Sequence, residues 1–266
     1  MLQRRLFFIL FGGLLLSGIS TTVVAQNDCT DNRRIVGGVN TDIKEHPWQV
    51  ALNFPEVGGL CGGSLIQDRW VLTAAHCFPS STDPKSAQVK AGATNYRQGG
   101  AWTEVEKVFV HEAYNASTYE NDIALVRLKS ATAGDIIPLA EPSQPLKACD
   151  KLEVTGWGRT SEGGQTADIL QKGEILYIEN DTCNASNAYN GAIKSGMMCA
   201  GFRDGGVDSC QGDSGGPLVL NGNDGPVLIG VVSWGEGCAK KLRYGVYTRL
   251  AKYRDWVSST ILGNQN

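Results

Sequence analysis

Three residues far apart in the chain carry groups that together could perform acyl transfer. Ser214 lies in Gly212-Asp213-Ser214-Gly215-Gly216-Pro217, where flanking glycines suit a sharp turn that exposes the hydroxyl. A serine hydroxyl is a weak nucleophile until a base takes its proton and donors receive the developing oxyanion. Bases are scarce, because the chain holds only three histidines, His46, His76 and His111. His76 ends the apolar run Leu72-Thr73-Ala74-Ala75 and stands beside Cys77. Asp122, in Asn121-Asp122-Ile123-Ala124-Leu125, opens an apolar strand pattern and could orient an imidazole. Taken singly, each has a plainer reading: a glycine-rich surface turn, a packed histidine and a turn-forming aspartate.

The order of the three along the chain separates the folds that could use them. Gly212–Gly216 satisfies the G-x-S-x-G elbow of α/β-hydrolases, in which the acid and then the histidine follow the serine. No histidine follows Ser214, so that esterase reading fails. His76, then Asp122, then Ser214 is a different arrangement of the same chemistry.

The elements that must position these groups read as short strands. Apolar runs broken by Gly and Pro recur at 46–54, 62–73, 105–111, 123–128, 152–156, 227–234 and 245–250. One helix is expected near the end, where Tyr253, Trp256, Val257 and Ile261 fall close to helical spacing within 251–262. The stretch 140–150, with Pro142 and Pro145, reads as a connector. Charged residues make up 19% of the chain and glycine is abundant at 33, which suits strands and turns rather than long helices or disorder.

The ends and the charge balance limit the partners. Met1–Ala25 has the layout of a signal peptide: Arg4 and Arg5, the apolar run 6–16, then small residues at 23–25. That run is too short for a membrane anchor, and no later stretch is long and apolar enough to span a bilayer. A secreted protein without a membrane partner is the expectation. From Ile35 onward there are 20 basic and 25 acidic side chains, which disfavours nucleic acid as a partner. Eight cysteines in an exported chain read as disulfides, and no C-x2-C pair suggests zinc. The dibasic Arg33-Arg34 directly before Ile35-Val36-Gly37-Gly38 reads as a processing site.

With these motifs together, the chain resembles the trypsin-like serine proteases of the chymotrypsin family, from Ile35 to the C-terminal helix. The matching stretches are IVGG at 35–38, CGGSLI at 61–66, LTAAHC at 72–77, NDIAL at 121–125, GWG at 156–158, DSCQGDSGGP at 208–217, SWG at 233–235 and GVYTR at 245–249. The resemblance implies an all-β fold of two packed six-stranded antiparallel barrels. It divides the chain into a signal peptide (1–25), a propeptide (26–34) and a protease domain (35–266). Within that domain barrel 1 covers about 35–145, barrel 2 about 146–250 and the helix about 251–262.

The resemblance also implies roles. His76, Asp122 and Ser214 are the catalytic triad, with the N–H groups of Gly212 and Ser214 as oxyanion hole. Asp208 lies at the bottom of the primary pocket and selects Arg or Lys before the cut. Gly235 and Gly245 are its small walls, Ser209 adds a hydroxyl, and Ser233 bonds the buried triad aspartate. Tyr119 closes the neighbouring subsite and favours small residues there. Cutting after Arg34 frees the Ile35 amine to pair with Asp213, so the uncut chain is a zymogen, activated by a trypsin-like protease or by itself. Implied pairings are Cys61–Cys77, Cys183–Cys199 and Cys210–Cys238. Cys29 and Cys149 are left, as a tether for the propeptide, as free thiols or as intermolecular bonds. His46 and His111 have no catalytic counterpart. Partners are protein and peptide substrates and proteinaceous inhibitors, and the enzyme is expected to be a monomer. The alternative is a catalytically silent binding protein on the same fold, although such members usually lack a triad residue.

Some positions depart from the family pattern. Leu152 and Leu220 stand where many members have a disulfide. The segment 91–103 aligns with a calcium-binding loop but holds no carboxylate, so no calcium site is expected. Gly59 replaces a histidine that helps silence zymogens, and Tyr244 gives a weak hint of a sodium effect. No cofactor is required. Asn115, Asn180 and Asn184 begin sequons, and Arg159 lies in a loop open to self-cleavage.

Overall fold

The computed structural model describes residues 38–56, 58–79 and 86–264. The signal peptide, propeptide, Arg34, Ile35 and Cys29 lie outside the described residues. Thirteen strands are present among those described: β1 (Val39–Asn40), β2 (Gln49–Phe54), β3 (Gly59–Gln67), β4 (Trp70–Thr73), β5 (Gln88–Ala91), β6 (Thr103–Val110) and β7 (Ala124–Leu128) precede the connector. After it come β8 (Lys151–Gly156), β9 (Gln171–Ile178), the single-turn helix α1 (Asn180–Cys183), β10 (Met197–Gly201), β11 (Pro217–Gly222), β12 (Gly225–Trp234), β13 (Gly245–Arg249) and the terminal helix α2 (Arg254–Leu262).

Two closed six-stranded antiparallel barrels result. The first closes in the order β2-β3-β4-β7-β6-β5, and the second through β8-β9-β10-β13-β12-β11 with β11 returning to β8. Closure removes the open edges that isolated sheets would expose. Strand β1 departs from the 35–145 grouping. It pairs with β9, Val39 opposite Lys172 and Asn40 opposite Gln171, so the described residues begin on the second barrel and cross to the first at β2.

Each barrel interior is filled by inward side chains. Val50, Leu52, Val71, Leu72, Leu125, Val126 and Leu128 are completely buried in the first. Leu152, Ile175, Met198, Leu218 and Tyr247 fill the second. Truncating one such aliphatic residue to alanine typically costs about 2–5 kcal/mol. Leu152 and Leu220 pack in the same second-barrel cluster, an apolar contact at the departure noted in sequence. Helix α2 buries Val257 and Ile261 against the first-barrel core and so staples the C-terminus across the junction.

The barrels meet through polar bonds sealed from water. Fully buried Gln49 of β2 accepts from Thr155 Oγ1 of β8 at 2.6 Å. The Gly62 N–H of β3 donates to the Ser214 carbonyl at 2.7 Å, and Thr248 Oγ1 of β13 donates to the Asp122 carbonyl at 2.6 Å. Two of these bonds end on the triad candidates themselves.

Candidate active site

His76 is set on a single 3-10 turn, Ala75–Cys77, directly after β4. The Cys61–Cys77 disulfide fastens that turn to β3. Asp122 immediately precedes Ile123 and β7, which pairs with β4, so the strand ladder brings the two side chains together across 46 residues. Asp122 is wholly buried. Its Oδ1 accepts the His76 backbone N–H at 2.9 Å, and its Oδ2 lies 2.8 Å from His76 Nδ1. Ser233 Oγ, from the second barrel, donates to the same Oδ2 at 2.5 Å. Two barrels thus supply three donors to one carboxylate, which leaves Nε2 as the free face of the imidazole.

Ser214 sits in the turn before β11. Gly215 N–H donates to the Val232 carbonyl and Gly216 N–H to the Asp213 carbonyl, both at 2.8 Å. Gly212 and Gly215 have φ of +100° and +80°, conformations that favour glycine. A Cβ at Gly215 would collide with the Gly62 carbonyl, and one at Gly212 would press on Gly158 Cα at 3.0 Å. The N–H groups of Gly212 and Ser214 have no acceptor among the described residues. No hydrogen bond joins Ser214 Oγ to His76 Nε2 among the described residues. Such catalytic bonds commonly tighten only when substrate is bound.

Asp208 and Asp213 flank the serine loop on the other side, and each keeps only partial contact with solvent. Asp208 accepts from Ser209 N–H at 2.8 Å and Ala239 N–H at 3.2 Å. Loss of hydration dominates there and raises its pKa to about 7, while the two N–H donors pull the other way. Asp213 accepts from Gly158 N–H at 2.7 Å and Cys210 N–H at 3.0 Å, and poor hydration raises its pKa to about 6. Neither carboxylate has a cation beside it among the described residues. Both line one cavity of about 200 Å³, together with Gly38, Gly158 and Ala239.

Gly235, Gly245, Ser209 and Tyr119 do not line this cavity. A Cβ on Gly245 would lie 2.5 Å from Asp208 Oδ1 and 2.9 Å from Tyr247 Oη, so only glycine leaves the carboxylate accessible from β13. Gly235 has ordinary clearance. Ser209 Oγ is 3.4 Å from Tyr247 Oη. The Cys210–Cys238 disulfide ties the Asp208 segment to the segment after Gly235, and Cys183–Cys199 ties α1 to β10. Cys149 is disulfide-bonded, which leaves no free-thiol reading for it, and the Cys29 end of the expected tether lies outside the described residues. Tyr119 has its ring edge-on to His76 at 5.8 Å and stacked on Trp234 at 6.3 Å, with φ of +57°.

The other readings also find places. His46 is buried, 3.0 Å from Thr41 Oγ1 and 3.3 Å from Glu153, and His111 packs between Tyr253 and Trp256. Next to the 91–103 segment, Lys90 donates to the Gly99 carbonyl at 2.7 Å and lies over Trp102. The Tyr244 carbonyl accepts from Tyr189 Oη at 2.7 Å. Asn180 and Asn184 spend their amides on backbone groups of Met197 and Ile193, whereas Asn115 is exposed. Sequence reasoning missed Tyr189, whose ring meets Trp234 edge-on, and the Glu236–Arg243 pair that contacts Tyr189. Their only sequence signal was proximity to SWG and to Tyr244.

The family model described as Trypsin matches residues 35–257. The mouse transmembrane protease serine 11C is 42% identical over 245 residues, covering 88% of this chain and 56% of that protein. Transmembrane protease serine 11G of mouse and of rat are each 41% identical, covering 85% of this chain and 55% of those proteins. The chain spans about half the length of the curated relatives it matches. Among the described residues no helix is long and apolar enough to cross a membrane.

Proposed function

Because the chain belongs to the trypsin family of serine proteases, we propose that it is a secreted endopeptidase, made as a zymogen, that cuts after Arg or Lys. The observation that carries this reading is the bond from His76 to the wholly buried Asp122, together with a poorly hydrated carboxylate, Asp208, six residues before Ser214. One set moves a proton and the other recognises a cation.

In the proposed cycle Ser214 Oγ attacks the scissile carbonyl carbon while His76 Nε2 takes its proton. Asp122 holds Nδ1–H and stabilises the imidazolium. The oxyanion accepts from Gly212 and Ser214 N–H, each such donor being worth about 3–4 kcal/mol. The intermediate expels the amine, which takes the proton back from Nε2. Water then repeats the sequence on the acyl-enzyme, and every step uses groups of the chain itself. An Arg or Lys side chain reaching Asp208 would supply the counter-charge that a poorly hydrated carboxylate lacks. Ser209 and Gly235 complete the pocket, and Tyr119 restricts the next residue of the substrate.

The switch is proposed to work through Asp213. An α-amine with an ordinary pKa near 8 is protonated at neutral pH and can pair with it. Cutting after Arg34 would create that amine on Ile35. N-terminal sequencing and Arg-peptide amidase assays before and after limited trypsin treatment test the whole reading. Freed Ile35 with a large gain in activity is the expected result. Freed Ile35 with no cleavage of Arg or Lys substrates would remove the protease reading.

A further inference from the structure

We infer that Arg243 is a positioning residue for the substrate backbone, holding the wall of the cleft through Glu236, Tyr189 and Trp234; this rests on the proposed endopeptidase reading. The guanidinium joins two segments distant in sequence. Its Nε donates to Glu236 Oε2 at 2.6 Å, and its Nη1 donates to the carbonyls of Asn187 and Ala188, each at 3.2 Å, and of Leu242 at 3.1 Å. The planar fork of Arg allows donations in several fixed directions, which an ammonium cannot copy with the same geometry.

Tyr189 carries this constraint inward. The Arg243 guanidinium lies 5.8 Å from its ring, and the Tyr189 hydroxyl donates to the Tyr244 carbonyl at 2.7 Å while accepting the Glu236 N–H at 3.4 Å. The same ring meets Trp234 edge-on at 5.0 Å. Trp234 closes β12 next to Ser233, the donor to Asp122, and Gly235, the pocket wall. The outer face of Trp234 stacks on Tyr119, whose edge faces His76. Arg243 therefore fixes one end of a line of rings whose other end touches the base.

Glu236 and Arg243 follow β12 on a loop, and the Trp234 indole N–H has no hydrogen-bond partner among the described residues. The Trp234 indole is then oriented by packing rather than by a hydrogen bond, with Tyr189 edge-on to it. If Gly235 walls the primary pocket and Tyr119 closes the next subsite, a longer substrate passes along Trp234, which precedes the first and stacks on the second, whereas a single arginine needs only the Asp208 pocket. Loss of Arg243 should act on extended substrates and spare short ones.

The test uses the exported protein activated after Arg34 by immobilised trypsin, with a tetrapeptide Arg amide and a single-residue Arg ester as substrates. Arg243→Ala should raise KM for the tetrapeptide about tenfold, leave its kcat within about twofold, and change ester hydrolysis less than about threefold. Arg243→Lys should recover only part of the KM, and Glu236→Gln, a change at an exposed side chain, should move KM in the same direction by a smaller factor. Equal losses on both substrates, or an unchanged tetrapeptide KM in both Arg243→Ala and Glu236→Gln, would overturn the clamp. Wild-type protein that cleaves neither substrate would remove the endopeptidase reading, and the clamp with it.

Discussion

Three aspartates surround the serine loop, and they differ in what completes them. Asp122 receives its donors from within the chain: the His76 backbone, the His76 ring and Ser233. Asp208 and Asp213 receive two backbone N–H groups each and no cation among the described residues. The first belongs to a half of the site that folding alone assembles. On the proposed reading, the other two belong to a half that becomes electrostatically complete only when a positive charge arrives from a substrate side chain or a new N-terminus. A buried charge without a partner is costly, so the second half is suited to recognition and switching rather than to stability.

The largest test of that division is on the finished half. Ser214→Ala should lower kcat by about 10⁶-fold and Asp122→Asn by about 10⁴-fold, with little change in the binding of a cationic competitive inhibitor. Steady-state kinetics with benzamidine titration would show it, and a matching loss of inhibitor affinity would mean the halves are not separate. Asp208→Ser comes next. It should lower kcat/KM on Arg substrates by about 10³-fold, as expected when a buried ionic partner worth about 4 kcal/mol is removed. Turnover of an activated ester without a cationic side chain should survive, and its loss would place Asp208 in the catalytic half.

Changing pH sharpens the comparison more gently. The Asp208 pKa is raised to about 7, so in the free enzyme its charge is suppressed on the acid side of that value. Benzamidine affinity should fall as pH drops below about 7. For stability the sign is that of a raised carboxylate. Its contribution is fully present below the ordinary carboxylate range and is lost as pH rises through about 7. A cationic inhibitor reverses that loss and should raise Tm more at pH 8 than at pH 5 by scanning calorimetry. An equal Tm shift at both values would contradict the assignment. The smallest effect is expected at Tyr119. Glycine fits its φ of +57°, and removing the ring should relax the preference for small residues at the second substrate position by about tenfold or less. Profiling a peptide library would detect it.

Much of the finished half was legible in the sequence, because its parts are chemical groups held in unbroken motifs. LTAAHC, NDIAL and the serine loop each bring their own strand or turn, and the chain order left one arrangement open. The strand runs gave the β-rich texture, while the two barrels came only with the family resemblance, because short strands between glycines can close in more than one way. The path of the first strand was not legible. Val39–Asn40 is two residues long and exposed, and its partner in β9 is set by the seam rather than by any pattern of its own. The Arg243 contacts were hidden for a related reason. Three of its four acceptors are backbone carbonyls, which carry no residue identity. Lys90 was hidden too, since a lysine in a strand does not announce that it will be buried beneath a tryptophan.

The crossing of β1 onto the second barrel has a consequence for timing and dose. Gly38 packs against Lys172 and already forms part of the wall of the cavity that holds Asp213. A chain end at Ile35 is three residues upstream, so its leash cannot exceed roughly 11 Å at full extension. Confinement on that scale sets a local concentration of the amine in the millimolar range or above, independent of how much protein is present. Once cut, each molecule should therefore mature at a rate that dilution does not change, and lengthening the leash by a few glycines should slow or weaken maturation without touching any residue of the site.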